Sequence, residues 1–265
     1  MTMRIRRAYA TCRYGQLHYS EAGQTQTARP LVCFHQSPIS GAQFAMFQTR
    51  MAEDRRVLCP DTPGFGSSDG PPSQPTIADY AAAMSDWLDD IGLNAVDVLG
   101  FHTGTLVAME LAILRPDRVR RLSLTSLALF TDAERERNRK IFGNPRPVFD
   151  DPDYLPRYYK EQVTSADEAI SEARRLALFT ERMRAGTKSW WGPAAVFAYD
   201  TAARAQRVTQ PTLLFVMRDT LADATRRAAQ LFPDARVIER LDLHGPAAWD
   251  SHPDAIAAEL RTQWG

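Results

Sequence analysis

The sequence is short of cysteine, and it has neither a net charge nor a long apolar run. Three cysteines in 265 residues are too few, and odd in number, for a disulfide framework, which favours a reducing cytoplasm. No apolar run reaches the roughly 20 residues of a membrane-spanning helix, so we predict no membrane association. The basic start is not followed by an apolar segment, so we predict no signal peptide. The 32 basic and 32 acidic residues cancel, which gives no reason to expect a nucleic-acid partner.

Metal and nucleotide signatures are equally scarce. No cysteine pair has ligand spacing, and HxxxH or HxH pairing is absent among the five histidines, which are His18, His35, His102, His244 and His252. The stretch PGFGSSDG contains glycines, but it lacks the lysine and the following helix of a phosphate loop. We therefore expect no metal and no cofactor, and the expected partner is a small-molecule substrate.

Apolar runs and amphipathic segments alternate along the chain. Residues 3–20 are typical of an opening hairpin. Short continuous apolar runs, typical of strands covered on both faces, follow at 30–35, 56–61, 95–101, 119–130, 211–217 and 235–241. Helical patterns separate them: one is capped by Thr76, a nearly all-apolar one ends before Pro116, and the last begins near Pro253. This alternation predicts an α/β fold with a mostly parallel, twisted sheet and helices on both faces.

The alternation breaks between about residues 131 and 206, where charged and aromatic residues are enriched and no strand can be identified. We interpret 131–206 as a helical insertion that forms a cap, or lid, on a core made of 1–130 and 207–265. The insertion is expected to cover the carboxyl edge of the sheet, where ligands of α/β proteins bind. It should therefore shape the substrate site.

The stretch Gly100-Phe101-His102-Thr103-Gly104 lies between an apolar strand and the most apolar helix. It fits Gly-x-Nuc-x-Gly, a sharp strand-to-helix turn that presents its central side chain above the sheet. Small residues flank such a turn because strand and helix pass close to each other, and the free N–H groups of the helix start favour negative charge. Serine usually holds the central position, which is His102 in this chain.

Four stretches together resemble the α/β-hydrolase superfamily over nearly the whole chain: VCFHQSP, CPDTPGFGSSD, VLGFHTG, and PTLLFVMRD followed by RVIERLDLH. The resemblance implies an order of nucleophile, acid and histidine, which is filled here by His102, Asp219 and His244. It also implies an oxyanion hole and a cis peptide bond between Ser37 and Pro38. The donors of that hole would be the backbone N–H groups of Ser37 and Thr103, with the Gln36 amide in addition.

Two of these positions have local rivals. Asp223 competes with Asp219 as the acid, and His252 competes with His244, although His252 stands where it would cap or decorate the last helix. The chain also departs from the family pattern, because Leu243 stands before the histidine where glycine is usual. The identity of the second histidine is therefore open at this point.

The role of His102 is open among three possibilities. Histidine with its ordinary pKa of about 6.5 is largely neutral at pH 7, so its imidazole can attack a carbonyl or act as a general base. His102 would form a short-lived acyl-imidazole, or it would share with His244 the activation of water or removal of a substrate proton, or it would only contact a ligand.

Three functions correspond to these roles. The principal hypothesis is an enzyme, most simply a hydrolase, for a small, mainly apolar carbonyl compound such as an ester, a lactone or a β-dicarbonyl. The alternatives are a cofactor-free lyase, isomerase or cyclase with His102 or His244 as general base, and a non-catalytic binder.

Aromatic residues are the candidates for contacts with an apolar substrate. Most rings of the helical insertion should pack in its own small core, with two or three lining the cleft. Contacts with the substrate are expected from Phe101, Tyr159, Trp190 and Trp191. Arg157 or Arg182 would meet a carboxylate if the substrate has one, although helical arginines are usually solvated. The oligomeric state stays open, a homodimer included.

Overall fold

The predicted hairpin and the six predicted apolar strands join in a single sheet. The computed structural model describes residues 4–24, 28–148 and 150–264. Its eight strands lie in the order β1-β2-β4-β3-β5-β6-β7-β8. They are β1 (Arg6–Cys12), β2 (Gly15–Ala22), β3 (Leu31–Phe34), β4 (Val57–Pro60), β5 (Val96–Phe101), β6 (Val119–Thr125), β7 (Thr212–Arg218) and β8 (Ala235–His244). Strands β3 to β8 run parallel to their neighbours, and only the pairs β1-β2 and β2-β4 are antiparallel.

Helices cover the sheet on both faces, as the alternation of patterns predicts. Eleven α-helices occur in the described residues: α1 (Ala45–Met51), α2 (Ile77–Asp90), α3 (Thr103–Leu114), α4 (Asp132–Phe142), α5 (Tyr154–Tyr159), α6 (Glu172–Met183), α7 (Trp191–Ala198), α8 (Thr201–Ala205), α9 (Ala222–Ala228), α10 (Ala248–Ser251) and α11 (Pro253–Trp264). None of those eleven has both the length and the apolar character that crossing a membrane requires.

The predicted helix ends are confirmed, and each has a local cause. Thr76 caps α2 with its side chain, and Asp79 returns a bond to the Thr76 backbone, which forms a capping box. Helix α3 ends at Leu114, two residues before Pro116, because proline cannot continue the backbone hydrogen bonds. Helix α11 begins at Pro253, where the missing N–H costs nothing.

Two apolar cores lie on opposite faces of the sheet because successive strand residues point to opposite sides. On one face, Val32 and Phe34 of β3 pack with α2 and α3. On the other, Cys33 of the same strand packs with α1, α10 and α11. Cys33 and Cys59 are fully buried free thiols, as expected from their position in apolar strands.

Between β6 and β7 the chain is helical. The described part of the helical insertion, which is residues 131–148 and 150–206, contains α4 to α8 and no strand. Helix α4 packs against α7, and α7 in turn contacts α3 of the core. The insertion thereby stands next to the turn between β5 and α3, at the carboxyl edge of the parallel strands.

The turn between β5 and α3 is the tightest junction of this edge. An added Cβ on Gly104 would lie 2.0 Å from the carbonyl oxygen of Phe34, and one on Gly100 would lie 2.5 Å from the carbonyl oxygen of Gly104. Both obstacles are backbone atoms, which cannot rotate away. Glycine is therefore required at both positions for strand and helix to approach so closely.

We predict that Gly104→Ala lowers the free energy of unfolding by about 3 kcal/mol or more, because the new methyl group overlaps the Phe34 backbone. Gly92→Ala is the matched control. Gly92 has a φ of +69° but open space around an added Cβ, so this variant should lose only the roughly 1 kcal/mol of backbone strain. Chemical denaturation measures both. Equal losses in the two variants would contradict the close approach.

Candidate active site

His102 occupies the apex of the turn in a strained backbone conformation. Its φ and ψ are 50° and −119°, and φ in this region costs a residue with a side chain about 1–3 kcal/mol. Hydrogen bonds on both sides hold it there. The His102 N–H donates to the carbonyl of Thr125 at 3.1 Å, and the Thr105 N–H and hydroxyl donate to the His102 carbonyl at 2.9 and 2.6 Å. These backbone hydrogen bonds hold the His102 ring in its direction before any substrate binds.

The His102 ring lines a cavity of about 1110 Å³ between the core and the helical insertion. One edge of the ring packs against Phe101, with the ring centroids 4.8 Å apart. Among the described residues it has no side-chain hydrogen bond, so its polar atoms are available to a bound molecule.

The electrostatic surroundings keep this imidazole neutral. Enclosure by the protein lowers the pKa of His102 to about 4, because a charged ring would lose its hydration. The negative charge of Asp219 opposes that shift, and the positive charge of Arg182 adds to it. At neutral pH, His102 is therefore an uncharged imidazole.

Asp219 follows β7 directly and is held by two hydrogen bonds. Its Oδ1 accepts the N–H of Leu221 at 2.8 Å, and its Oδ2 accepts the hydroxyl of Ser126. Ser126 comes directly after the neighbouring strand β6 and has a φ of 59°, a second strained residue at this edge of the sheet. The rival Asp223 has no such support, because its carboxylate is exposed and pairs with Arg226 at 2.6 Å.

The structure does not bring His244 together with Asp219 and His102. Strand β8 extends as far as His244, which pairs in register with Arg218. Because faces alternate along a strand, Leu243 points into the core and is fully buried, while His244 is exposed. The His244 side chain has no hydrogen bond among the described residues, and His244 does not line the cavity. The chain therefore differs structurally from the family pattern at this point, because Leu243, which replaces the usual glycine, is packed in the core.

The rival His252 is also remote from the site. It is exposed, its Nδ1 lies 2.8 Å from the hydroxyl of Ser251, and its carbonyl accepts the N–H of Ile256 at the start of α11. This is the helix-end position expected from the sequence. Of the three histidines considered for the site, only His102 lines the cavity, and Asp219 is the carboxylate whose charge acts on its ring.

The predicted oxyanion donors lie side by side. The Ser37 N–H donates to the hydroxyl of Thr103 at 3.4 Å, which places the Ser37 amide beside the first residue of α3. The N–H groups of a first helical turn have no intrahelical acceptor, so the Thr103 N–H is open to a ligand oxygen. Ser37, Thr103 and Gln36 all line the cavity. The Gln36 backbone N–H is occupied by the Gln43 side chain, which leaves the Gln36 side-chain amide for a ligand.

His35 fixes this donor loop from behind. Its Nδ1 lies 2.7 Å from the Gln36 carbonyl, and its Nε2 lies 2.8 Å from the backbone nitrogen of Thr62. Burial lowers the pKa of His35, so the ring is neutral, donates from Nδ1 and accepts at Nε2. The predicted cis bond between Ser37 and Pro38 is confirmed.

The predicted substrate contacts are not on the cavity wall. Phe101 is fully buried on the far side of the turn against Trp249, and Tyr159 is 43% exposed. Trp191 packs under the ammonium group of Lys188, and neither it nor Trp190 lines the cavity. The rings that do line it are Phe130, Phe142, Tyr154, Tyr158 and Phe197.

The sequence contained a signal for part of this wall. In α6, Phe179 and Arg182 are three residues apart, so they share one face of the helix. Phe179 packs on Tyr158, and Arg182 lines the cavity together with Tyr158. Phe130 precedes α4, and Phe142 is the last residue of this helix. Because α4 is charged along most of its length, these apolar residues indicated a packing contact. No cluster of metal-ligating side chains occurs in the part of the chain that the structure describes.

Comparisons with known proteins identify the family and the fold. A family model described as alpha/beta hydrolase fold matches residues 29–207. A putative carbamate hydrolase, RutD, of Stutzerimonas stutzeri is 24% identical over 254 residues, which cover 89% of this chain and 93% of that protein. A 2-hydroxymuconate semialdehyde hydrolase of Pseudomonas sp. strain CF600 is 34% identical over 119 residues, which cover 42% of this chain and 39% of that protein.

A solved structure shares the whole fold at low identity. A thermophilic esterase from Thermogutta terrifontis superposes with a TM-score of 0.77 and 18% identity, and the match covers 98% of each chain. At this identity the likeness extends to the fold alone.

We predict that the stability of the protein falls by about 1–3 kcal/mol between pH 6.5 and pH 4 through His102. In this window the unfolded chain protonates this histidine at its ordinary pKa of 6.5, whereas the folded chain, with a pKa of about 4, does not. Protons then favour unfolding. His102→Gln should remove this part of the pH dependence in chemical denaturation at pH 7 and pH 4.5.

His252→Gln is the control for this measurement, because it removes an imidazole from the surface. Identical pH dependence in the His102→Gln variant and the unmodified protein would show that the ring at position 102 is not enclosed as described.

Proposed function

The chain belongs to the α/β-hydrolase family, and from that membership we propose that it hydrolyses a carbonyl compound with His102 as general base and Asp219 as the charge behind it. One observation carries the proposal: a neutral imidazole at the apex of the turn lines the same cavity as two adjacent amide donors. The relatives named above support hydrolysis, because their names share that reaction while differing in substrate.

The proposed reaction begins with the substrate carbonyl oxygen accepting the N–H groups of Thr103 and Ser37, for which the Ser37 N–H exchanges its long 3.4 Å bond to the Thr103 hydroxyl. Neutral His102 takes a proton from water while the water oxygen bonds to the carbonyl carbon, and the two amides hold the oxyanion that forms. The imidazolium is stabilised by Asp219, whose charge favours the protonated ring. The imidazolium then gives its proton to the leaving group as its bond to the carbonyl carbon breaks. An ester loses an oxygen and yields an acid and an alcohol, a lactone yields a hydroxy acid, and a β-dicarbonyl loses an enolate carbon and yields an acid and a ketone.

This scheme needs only the imidazole of His102, whereas a serine mechanism needs a nucleophile and a separate histidine as base. A serine nucleophile requires a histidine to take its proton, but a neutral imidazole can bind the proton of water itself. The exposed position of His244 is consistent with such a scheme. A direct attack of His102 on the carbonyl, giving an acyl-imidazole, uses the same residues and differs in having a covalent intermediate.

A second candidate function follows from the same single base. A base beside an oxyanion hole can remove a proton from the carbon next to a carbonyl, and the amides then hold the enolate. An isomerase returns the proton to another atom of the enolate, and a lyase expels a group from it, so neither reaction consumes water. A cofactor-free lyase or isomerase is therefore the alternative, with His102 as the base.

Substitution of the two site residues tests the assignment. His102→Ala is expected to lower the rate 100- to 10,000-fold, the range usual for a lost general base, on whichever of p-nitrophenyl acetate, γ-butyrolactone and 2,4-pentanedione is turned over. Asp219→Asn, which keeps the size of the side chain, should lower the rate less, since it removes only the supporting charge. The matched variant His244→Gln should keep the rate within about threefold, because His244 lies outside the cavity. A loss in His244→Gln equal to that in His102→Ala would overturn this assignment.

Mass measurement during turnover separates the reaction types. General-base hydrolysis predicts an unmodified protein mass and products that have gained one water. An acyl adduct on a peptide containing His102 would establish covalent catalysis instead. A product isomeric with the substrate would establish the second candidate, and a ligand that stabilises the protein without being consumed would establish a non-catalytic binder.

A further inference from the structure

Arg182 faces the same cavity as His102. It lies in the last turn of α6, and with Met183 it contributes to the cavity wall. Burial lowers the pKa of His102, and the positive charge of Arg182 adds to that shift. Burial raises the pKa of Tyr158, and the same charge opposes that shift. The guanidinium group is therefore close enough to act on both residues across the cavity.

The other arginines at this end of the insertion have partners. Arg174 bonds to Asp250 at 2.7 Å, Arg175 donates to the Ala166 carbonyl, and Arg184 donates to the hydroxyl of Ser67. Arg182 makes no ion pair or hydrogen bond with any residue that the structure describes. It is only partly exposed, so its charge is neither neutralised by the protein nor fully hydrated.

Other cations of the cavity wall do not resemble it. Arg146 packs over the ring of Phe142, and Arg227 donates to the Leu129 carbonyl. Arg137 is exposed on α4. Arg182 differs from Arg146 and Arg227 in having no side-chain partner in the described ranges. It differs from Arg137 in being only partly exposed and in acting on the imidazole of His102.

The acidic residues of the wall are not placed to neutralise Arg182. Glu134 caps the start of α4, and Asp223 pairs with Arg226. Asp150 and Glu161 are exposed. No acidic residue other than Asp219 shifts the pKa of His102, so the field at the imidazole comes from Asp219 on one side and Arg182 on the other.

We propose that Arg182 binds a carboxylate of the substrate, so that the enzyme acts on carbonyl compounds that also carry an acid group. A guanidinium offers parallel N–H donors that match the two oxygens of a carboxylate. The bound carboxylate would direct the carbonyl of the same molecule toward His102 and the amides of Ser37 and Thr103. This placement of the carbonyl rests on the proposed function, whereas binding of the carboxylate does not.

The test is a binding measurement with two probes of one shape and different charge. We expect 4-oxo-4-phenylbutanoate to bind at least tenfold more tightly than 4-oxo-4-phenylbutanamide in calorimetric titrations of the unmodified protein. Arg182→Gln should remove this preference, and Arg182→Lys should keep part of it, since lysine retains the charge without the paired donors. Arg157→Gln is the matched control: Arg157 is another arginine of the insertion, but it is exposed and pairs with Asp151 at 2.6 Å. Its variant should bind as the unmodified protein does.

Three outcomes would overturn the proposal. These are equal affinity for the two probes, an unchanged preference in Arg182→Gln, and no saturation by the carboxylate at about 10 mM, where a ligand with a Kd of about 1 mM would be nearly saturating. The same titrations on His102→Ala separate this inference from the proposed chemistry. If the preference for the carboxylate persists in that variant while the unmodified protein turns over none of p-nitrophenyl acetate, γ-butyrolactone and 2,4-pentanedione, the binding site stands and the proposed function fails.

Discussion

The close contact of β3, β5 and α3 at Gly100 and Gly104 is the constraint on which the rest of the site depends. Two glycines without side chains let the helix start directly against the strand carbonyls, and the chain between them has room for only one sharp bend. That bend forces His102 into a strained conformation and turns its ring into the cavity. The strain is sustained by backbone hydrogen bonds to the neighbouring strand and within the first helical turn, so the surrounding fold maintains the geometry of the reactive residue.

Electrostatics then determine what the imidazole can do. Enclosure keeps His102 neutral, and its two charged neighbours act in opposite senses. Asp219 stabilises the protonated ring and so assists proton uptake, whereas Arg182 disfavours it. A carboxylate bound at Arg182 would cancel the second effect and raise the basicity of His102 only when substrate is present. The proposed substrate subsite and the proposed base are therefore coupled through charge, since binding at one changes proton affinity at the other.

The departure from the family pattern at the end of β8 has a structural basis. In this chain Leu243 belongs to the apolar core between the sheet and the C-terminal helices, and His244 pairs with Arg218 after an irregularity in the register of β7 and β8. Because Leu243 packs into the core, the side chain of the next residue, His244, points to solvent. Histidine at the apex of the turn and an exposed histidine at the end of β8 are two positions at which this chain departs from the pattern implied by the family.

Much of the fold could be predicted from the sequence, because strands, helix caps and the tight turn depend on local periodicity and on single residues such as Thr76, Pro116 and Gly104. The tight turn identified the ring of His102 as a candidate, and the resemblance to the α/β-hydrolase superfamily implied the donors of the Ser37 loop and the carboxylate of Asp219. Tertiary structure alone decided which side chains meet them. That His244 faces outward and Arg182 inward depends on the register of β8 and on the rotation of α6 against the core, and these are set by packing between residues far apart in the chain.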